Sequence, residues 1–240
     1  MLELSNVSLI AVTSGEEAEC IKALNYSSQH IKFAKKILFT DKIVHNDDVQ
    51  IIKTREFTSI GDWGKFIIFE LHEFIDTDFV LLVHADGFVV NPSSWSNDFL
   101  EYDYIGAPWP VPKDNTSFRD HYGNIIRVGN SVSLRSKRLL SLPSSIGLKW
   151  SGFDGGFPHE DGFICVQHRH TLVEDFRMKF PPLELAMRFG RENTIEIPYK
   201  TEPFTFHKWR GANSKYPNFN RWKYFKKRLY RVIKKLRVFL

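Results

Sequence analysis

Residues able to do chemistry fall in a few short runs. His84-Ala85-Asp86-Gly87 directly follows the most apolar stretch, Phe79-Val-Leu-Leu-Val83. An acid straight after a buried strand is costly unless its charge is used. Holding a divalent cation against a diphosphate is one such use, because Mg2+ and Mn2+ favour carboxylate oxygens and Mn2+ also accepts imidazole. A simple cap on a turn at Gly87 is the plainer reading. His159-Glu160-Asp161-Gly162 heads a helical pattern and is preceded by Ser151-Gly-Phe-Asp-Gly-Gly-Phe-Pro158. Acids at a helix start are favoured by the dipole alone, but a carboxylate pair delivered by a Gly-rich loop also suits a general base for a hydroxyl. Phe204-Thr-Phe-His207-Lys208-Trp209 puts a histidine after a short strand, as a metal ligand or as an ordinary hydrogen-bonded side chain. Val128-Gly129-Asn130 reads as a turn entering a strand. His168 and His170 are two residues apart, do not share a helix face, and read as solvated surface.

The elements that must place these groups alternate in type. Residues 7–13 are an apolar run entering a Ser-Gly turn, hence a strand. Residues 16–29 have helical spacing, 37–40 and 49–53 read as strands, and 64–74 as a helix. Residues 79–83 are apolar throughout, as in a strand buried on both faces. This order predicts an α/β domain whose largely parallel sheet binds ligands beyond the carboxyl ends of its strands. Thr13, Asp41, His84 and Asp86 stand at those ends. The second half is less regular. A strand is expected over 103–109, a polar loop over 112–122, a strand over 131–134 and a long loop over 141–158. Residues 160–176 are expected to be helical, with short β pieces at 195–197 and 204–206.

Composition narrows the class. Hydrophobic residues make up 42% of 240 and charged residues 25%, which excludes disorder, collagen-like repeats and a membrane bundle. Two cysteines exclude a disulfide scaffold and a Cys-rich zinc site. The start of the chain does not read as a signal peptide, and no apolar run reaches about 18 residues. Nine of the 33 Lys and Arg lie in residues 221–240, which contain no acid. The remaining 24 face all 28 acids, so the body is mildly acidic and is not expected to bind nucleic acid. In 221–240, Trp222, Phe225, Leu229, Val232, Ile233 and Leu236 follow helical spacing among cations. That predicts a basic amphipathic helix on an anionic membrane surface. We therefore expect a 1–220 domain, a 221–240 appendage, and a cytoplasmic protein peripheral on the inner face of a membrane.

Taken together, residues 79–92, Trp95, 99–109, Gly129-Asn130 with Ser133-Leu-Arg-Ser136, and Glu160-Asp161 strongly resemble the DUF5672 family. Phe180-Pro-Pro-Leu-Glu-Leu-Ala186, Phe189 and Glu192 extend the resemblance, which spans roughly residues 7 to 210. It implies a GT-A nucleotide-diphospho-sugar transferase fold. Asp86 would stand at the last acid of an Asp-x-Asp motif that holds a metal and the donor diphosphate. Glu160 and Asp161 would stand at the catalytic carboxylates of inverting members, usually the second of the pair. His207 would stand at a C-terminal histidine ligand of the metal. Two departures matter. His84 replaces the first acid, which favours Mn2+ over Mg2+. The family's Gly-Asn-Gly-Gly-Phe-Ser-Leu-Arg run is one residue shorter here and lacks the paired glycines, at the place expected to approach donor sugar and acceptor.

The sequence thus predicts an inverting glycosyltransferase acting on a nucleotide-diphospho-sugar donor and a glycan or lipid-linked glycan acceptor. Asp161 is the expected base, with Glu160 beside it. Thr13, Asp41, Asp86, Gly129 and Asn130 are the expected donor-binding residues. Asp86, His207 and His84 are the expected metal ligands. Trp109, Trp150 and Phe153 are candidates to stack on sugar rings. Rival readings are a non-catalytic protein that binds carbohydrate or nucleotide sugar, and a phosphate-processing metalloenzyme using Asp86, Asp161 and His207.

Overall fold

A computed structural model describes residues 1–151 and 159–219. Phe153 and the predicted 221–240 helix lie outside them, and with them the membrane expectation. The frame is a six-stranded sheet. β1 (Leu2–Thr13), β2 (Ile31–Thr40), β3 (Gln50–Lys53), β4 (Phe79–Val83), β5 (Tyr104–Pro108) and β6 (Val128–Ser136) lie in the order β3-β2-β1-β4-β6-β5. The first four are parallel, and β6 is antiparallel to both neighbours. This is the expected mixed, mostly parallel Rossmann-type sheet flanked by helices.

Strand periodicity explains the two layers. Successive side chains of a strand point to opposite faces. Leu9 and Ala11 of β1 and Leu81 and Val83 of β4 pack with Cys20, Ala23 and Leu24 of α1 (Glu17–Ser27). Ile10, Val12, Val80 and Leu82 point the other way. They pack with Trp63 of α2 (Ile60–Lys65) and with Phe66, Ile67 and Leu71 beyond it. α2 starts four residues earlier than its apolar spacing suggests, because Ser59 caps it by accepting from the Asp62 N–H at 3.0 Å. It continues as a π-helical turn over Phe66–Glu70 and a tight turn over Leu71–Phe74. The chain runs outward from β1 to β3 and returns to β4 on the other side of β1. The switch point therefore falls between the carboxyl ends of β1 and β4, where such sheets bind ligands.

Two expectations are corrected in the second half. The loop expected from residue 141 is helical as far as Ser145, within α3 (Lys137–Ser145). Pro143 lacks an N–H but is buried with Leu139 and Leu140, and the helix closes with the Ile146 N–H donating to Leu142 O at 3.0 Å. Residues 195–197 form no strand: Ile195 is buried, Ile197 is exposed, and Pro198 removes a ladder donor. The helical stretch after His159 is built of α4 (Glu160–Gly162), a π-helical turn Phe163–Gln167 and α5 (Arg169–Glu174). It packs under β5 in an aromatic cluster containing Tyr104, Trp109 and Phe163. α6 (Leu183–Phe189) leads into β7 (Gly190–Arg191), which pairs with β8 (Thr205–Phe206).

Candidate active site

A cavity of about 750 Å3 opens at this switch point. Val12 and Thr13 line it from the end of β1, and His84, Ala85 and Asp86 from the end of β4. Asn130 and Ser131 come from β6, Asp161 from α4, and His207 and Lys208 follow β8. Trp63, Trp109 and Phe118 supply apolar walls.

The turn after β4 is closed by His84 N–H to Gly87 O at 2.7 Å and Gly87 N–H to His84 O at 3.2 Å. Gly87 leaves room for its neighbours: a Cβ there would lie 2.6 Å from Val132 Cγ2 and 2.8 Å from the His207 ring. The segment after β8 is therefore able to lie on the turn, and Lys208 N–H bonds Asp86 O at 2.7 Å. His207 Nε2 comes within 3.5 Å of Asp86 Oδ1, and the His84 ring lies 5.4 Å from the His207 ring. Burial pushes the His84 imidazole down to about 4, so the ring is neutral, and its Nε2 is buried without a hydrogen-bond partner.

The two adjacent acids have different surroundings. Glu160 is buried and lies outside the cavity lining. Its Oε1 receives Arg135 Nη2 at 2.9 Å and Ser131 Oγ at 2.8 Å, and both ion-pair side chains are almost fully enclosed. Asp161 lines the cavity. Burial, then the neighbouring Glu160 charge, pushes its carboxyl up to about 7. A carboxylate poised near neutrality matches what a general base requires.

The other expected residues divide in the same way. Thr13 faces the cavity, with its Oγ1 accepting the Glu16 N–H at 3.1 Å. Asp41 does not line it, and pairs with Lys42. Gly129 serves packing: a Cβ there would lie 2.0 Å from the Trp109 ring. Asn130 lines the cavity in the left-handed region, at φ 88°. Trp109 faces the cavity against Phe118, ring centroids 4.7 Å apart. Trp150 instead stacks on Phe163 at 5.2 Å. Sequence reasoning missed Glu192 and Lys208 as site residues. Glu192 is buried, lines the cavity, and binds both Asn130 Nδ2 and Lys208 Nζ. Its only signal was membership in the family pattern; Lys208 was visible beside His207.

The three expected metal ligands are neighbours, but they do not form a nest. Among the described residues no three His, Cys, Asp or Glu side chains converge to hold an ion. Asp86 and His207 offer two donors, which without oxygens from a ligand are too few for a closed site.

Residues 46–207 match the family described as "Protein of unknown function (DUF5672)". The chain belongs to that family. No curated protein matches it in sequence. Among solved structures it is similar to the apo-form glycosyltransferase GlyE of Streptococcus pneumoniae TIGR4, at 12% identity and a TM-score of 0.45. That similarity covers 86% of this chain, which spans 55% of the GlyE chain. Among the described residues of this DUF5672 protein, no helix is long and apolar enough to cross a membrane.

Proposed function

We propose that this DUF5672 protein is an inverting glycosyltransferase that moves a sugar from a nucleotide-diphosphate donor to a hydroxyl of a glycan or lipid-linked glycan. The observation that carries the reading is one cavity at the sheet's switch point. It is lined by a carboxyl group held near neutrality, Asp161, and by the Asp86–His207 pair. Asp161 takes the acceptor proton as that oxygen attacks the anomeric carbon, and the bond to the diphosphate breaks on the opposite face. Lys208 neutralises charge on the leaving phosphate, and the Thr13 end takes the nucleoside. Trp109 and Phe118 supply an apolar wall for a sugar ring. Asp86 and His207 are the residues that would hold a divalent cation, with Mn2+ favoured by the imidazole. Such an ion would offset charge on the diphosphate.

The test is a panel of nucleoside diphosphate sugars screened for thermal stabilisation with and without Mn2+, followed by transfer to glycan acceptors. A ligand at 100 times its Kd stabilises the native state by about 2.7 kcal/mol. The expected result is a selective rise with one nucleotide sugar, weakened by Asp86→Ala more than the response to the free nucleoside. No response to any member of the panel overturns the reading.

A further inference from the structure

Ser131, Ser133 and Arg135 are alternate residues of β6, so their side chains share one face of the strand. That face carries a polar row inside the protein. Arg135 Nε donates to Ser133 Oγ at 2.9 Å. Arg135 Nη2 and Ser131 Oγ then converge on one oxygen, Glu160 Oε1, at 2.9 and 2.8 Å. Arg135 and Glu160 are each 1% exposed. α2 packs close as well: a Cβ on Gly64 would lie 3.5 Å from Glu160 Cβ and 2.8 Å from the Trp150 ring. Glu160 is thus wedged between α2 and β6. A buried ion pair adds little stability over an apolar pair of the same shape. What it does supply is direction, because a carboxylate oxygen that accepts from two fixed donors is held in one place.

Glu160 is the first residue of α4, and Asp161 follows about 100° further round the helix. A rotation of α4 that freed Glu160 from β6 would carry Asp161 away from its place in the cavity. We propose that Glu160 is a positioning residue: anchored by Arg135 and Ser131, it sets the rotation of α4 and so holds the Asp161 carboxylate in the cavity. This replaces the part of second catalytic carboxylate that its sequence suggested. Glu160 lies outside the cavity lining and acts through Asp161. A competing anchor is Phe163, buried three residues on and stacked on Trp150. If Phe163 held the turn by itself, no change at Glu160 would move Asp161. The effect on turnover rests on the proposed transferase reading, whereas the rotation is a matter of packing alone.

Two single variants of the full chain separate reach from charge. Glu160→Gln loses the charge but keeps an oxygen at full reach for Arg135 and Ser131. Glu160→Asp keeps the charge but is shorter by one C–C bond, about 1.5 Å. The readouts are crystal structures of both variants, and kcat and donor KM at pH 9, above the Asp161 value of about 7. In Glu160→Asp the Asp161 carboxylate is expected to move by about 1 Å and kcat to fall about 100-fold with KM little changed. In Glu160→Gln the carboxylate is expected to stay in place and kcat to remain within about 10-fold of wild type. A larger loss of kcat in Glu160→Gln than in Glu160→Asp, or an unmoved Asp161 in Glu160→Asp, overturns the proposal. If Glu160→Asp does not fold, Arg135→Met combined with Glu160→Leu removes both charges together and takes its place, with the same displacement and fall expected. The crystallographic readout does not depend on sugar transfer. A displaced Asp161 in Glu160→Asp, with no transfer by the wild type, would therefore remove the transferase reading alone.

Discussion

The two walls of the cavity are held by different forces. The β1–β4 wall is mainly apolar where it approaches the cavity. Leu9, Ile10, Leu81 and Leu82 are fully buried, and the cavity-lining polar groups Thr13, His84 and Asp86 come at and just beyond the strand ends. The opposite wall, from β6 to α4 and β8, buries charge: Arg135 with Glu160, and Glu192 with Lys208 and Asn130. Apolar burial tolerates local change, and its cost is set by the volume removed. A buried ion pair adds little over an apolar pair of the same shape, but losing one partner strands the other charge. The first wall is therefore a platform, whereas the second is a positioning device that fails in an all-or-none way.

Arg135→Met tests this contrast most severely. It strands Glu160 and is expected to cost about 3–5 kcal/mol in denaturant unfolding. Adding Glu160→Leu should restore most of that loss. Leu81→Ala, on the platform, is expected to cost about 2–5 kcal/mol through the cavity it leaves. If Arg135→Met loses less than a surface substitution, the contrast between the walls is void.

Asp161→Asn comes next. Turnover is expected to fall by about 100-fold or more, with donor binding little changed, whereas Glu160→Gln should be milder. Wild-type kcat should rise with pH through about 7 as Asp161 loses its proton. Near-normal transfer by Asp161→Asn removes Asp161 from the chemistry. The same variant is informative about stability. The folded-state value of Asp161 is raised from 3.8 to about 7, so the native state holds a proton that the unfolded chain has released between those values. Stability from this group is full below 3.8, falls as pH rises toward 7, and is flat above. Asp161→Asn should therefore raise Tm at pH 8 and change it little near pH 3.5. A lower Tm at pH 8 would show that the carboxylate is not under strain.

A smaller effect is expected on the platform. Thr13→Val removes the acceptor for the Glu16 N–H and should cost about 1 kcal/mol, measured by urea unfolding. A cost above that of Arg135→Met would invert the comparison. Least of all should be felt in the fold when the chain is ended at Asn220. Unfolding and donor binding are expected to be unchanged, while sedimentation with anionic vesicles at low salt is lost. Each cation near such a surface contributes roughly 1 kcal/mol. Equal vesicle binding by the shortened chain would reject the anchoring idea.

The same contrast governs what could be read in advance. β1 and β4 announce themselves as apolar runs, and the switch point follows from their order. Asp86 and Thr13 were legible because they are simply the next polar residues. On the other wall, neighbours in sequence part company in space. Nothing local says that Glu160 turns to Arg135 while Asp161 turns to the cavity, since the deciding partner is 25 residues away. Pro143 suggested a loop and proved to be a buried helical residue. Gly129-Asn130 looked like a turn before β6. It lies inside that strand, with its left-handed backbone held by partners at 132, 192 and 207.

The sheet order also has a consequence in time. β5 precedes β6 in the chain, yet β6 lies between β5 and β4. Among the described residues β5 has no ladder partner other than β6. It therefore cannot zip onto the sheet until the later strand has docked. The Trp109 ring, which needs the bare Gly129 of β6, settles only once β5 and β6 are paired. We therefore expect the β5–β6 wall of the cavity to assemble last, with β1 and β4 as its template. Substitutions in those two strands should slow refolding, while changes at Trp109 or Gly129 should mainly hasten unfolding.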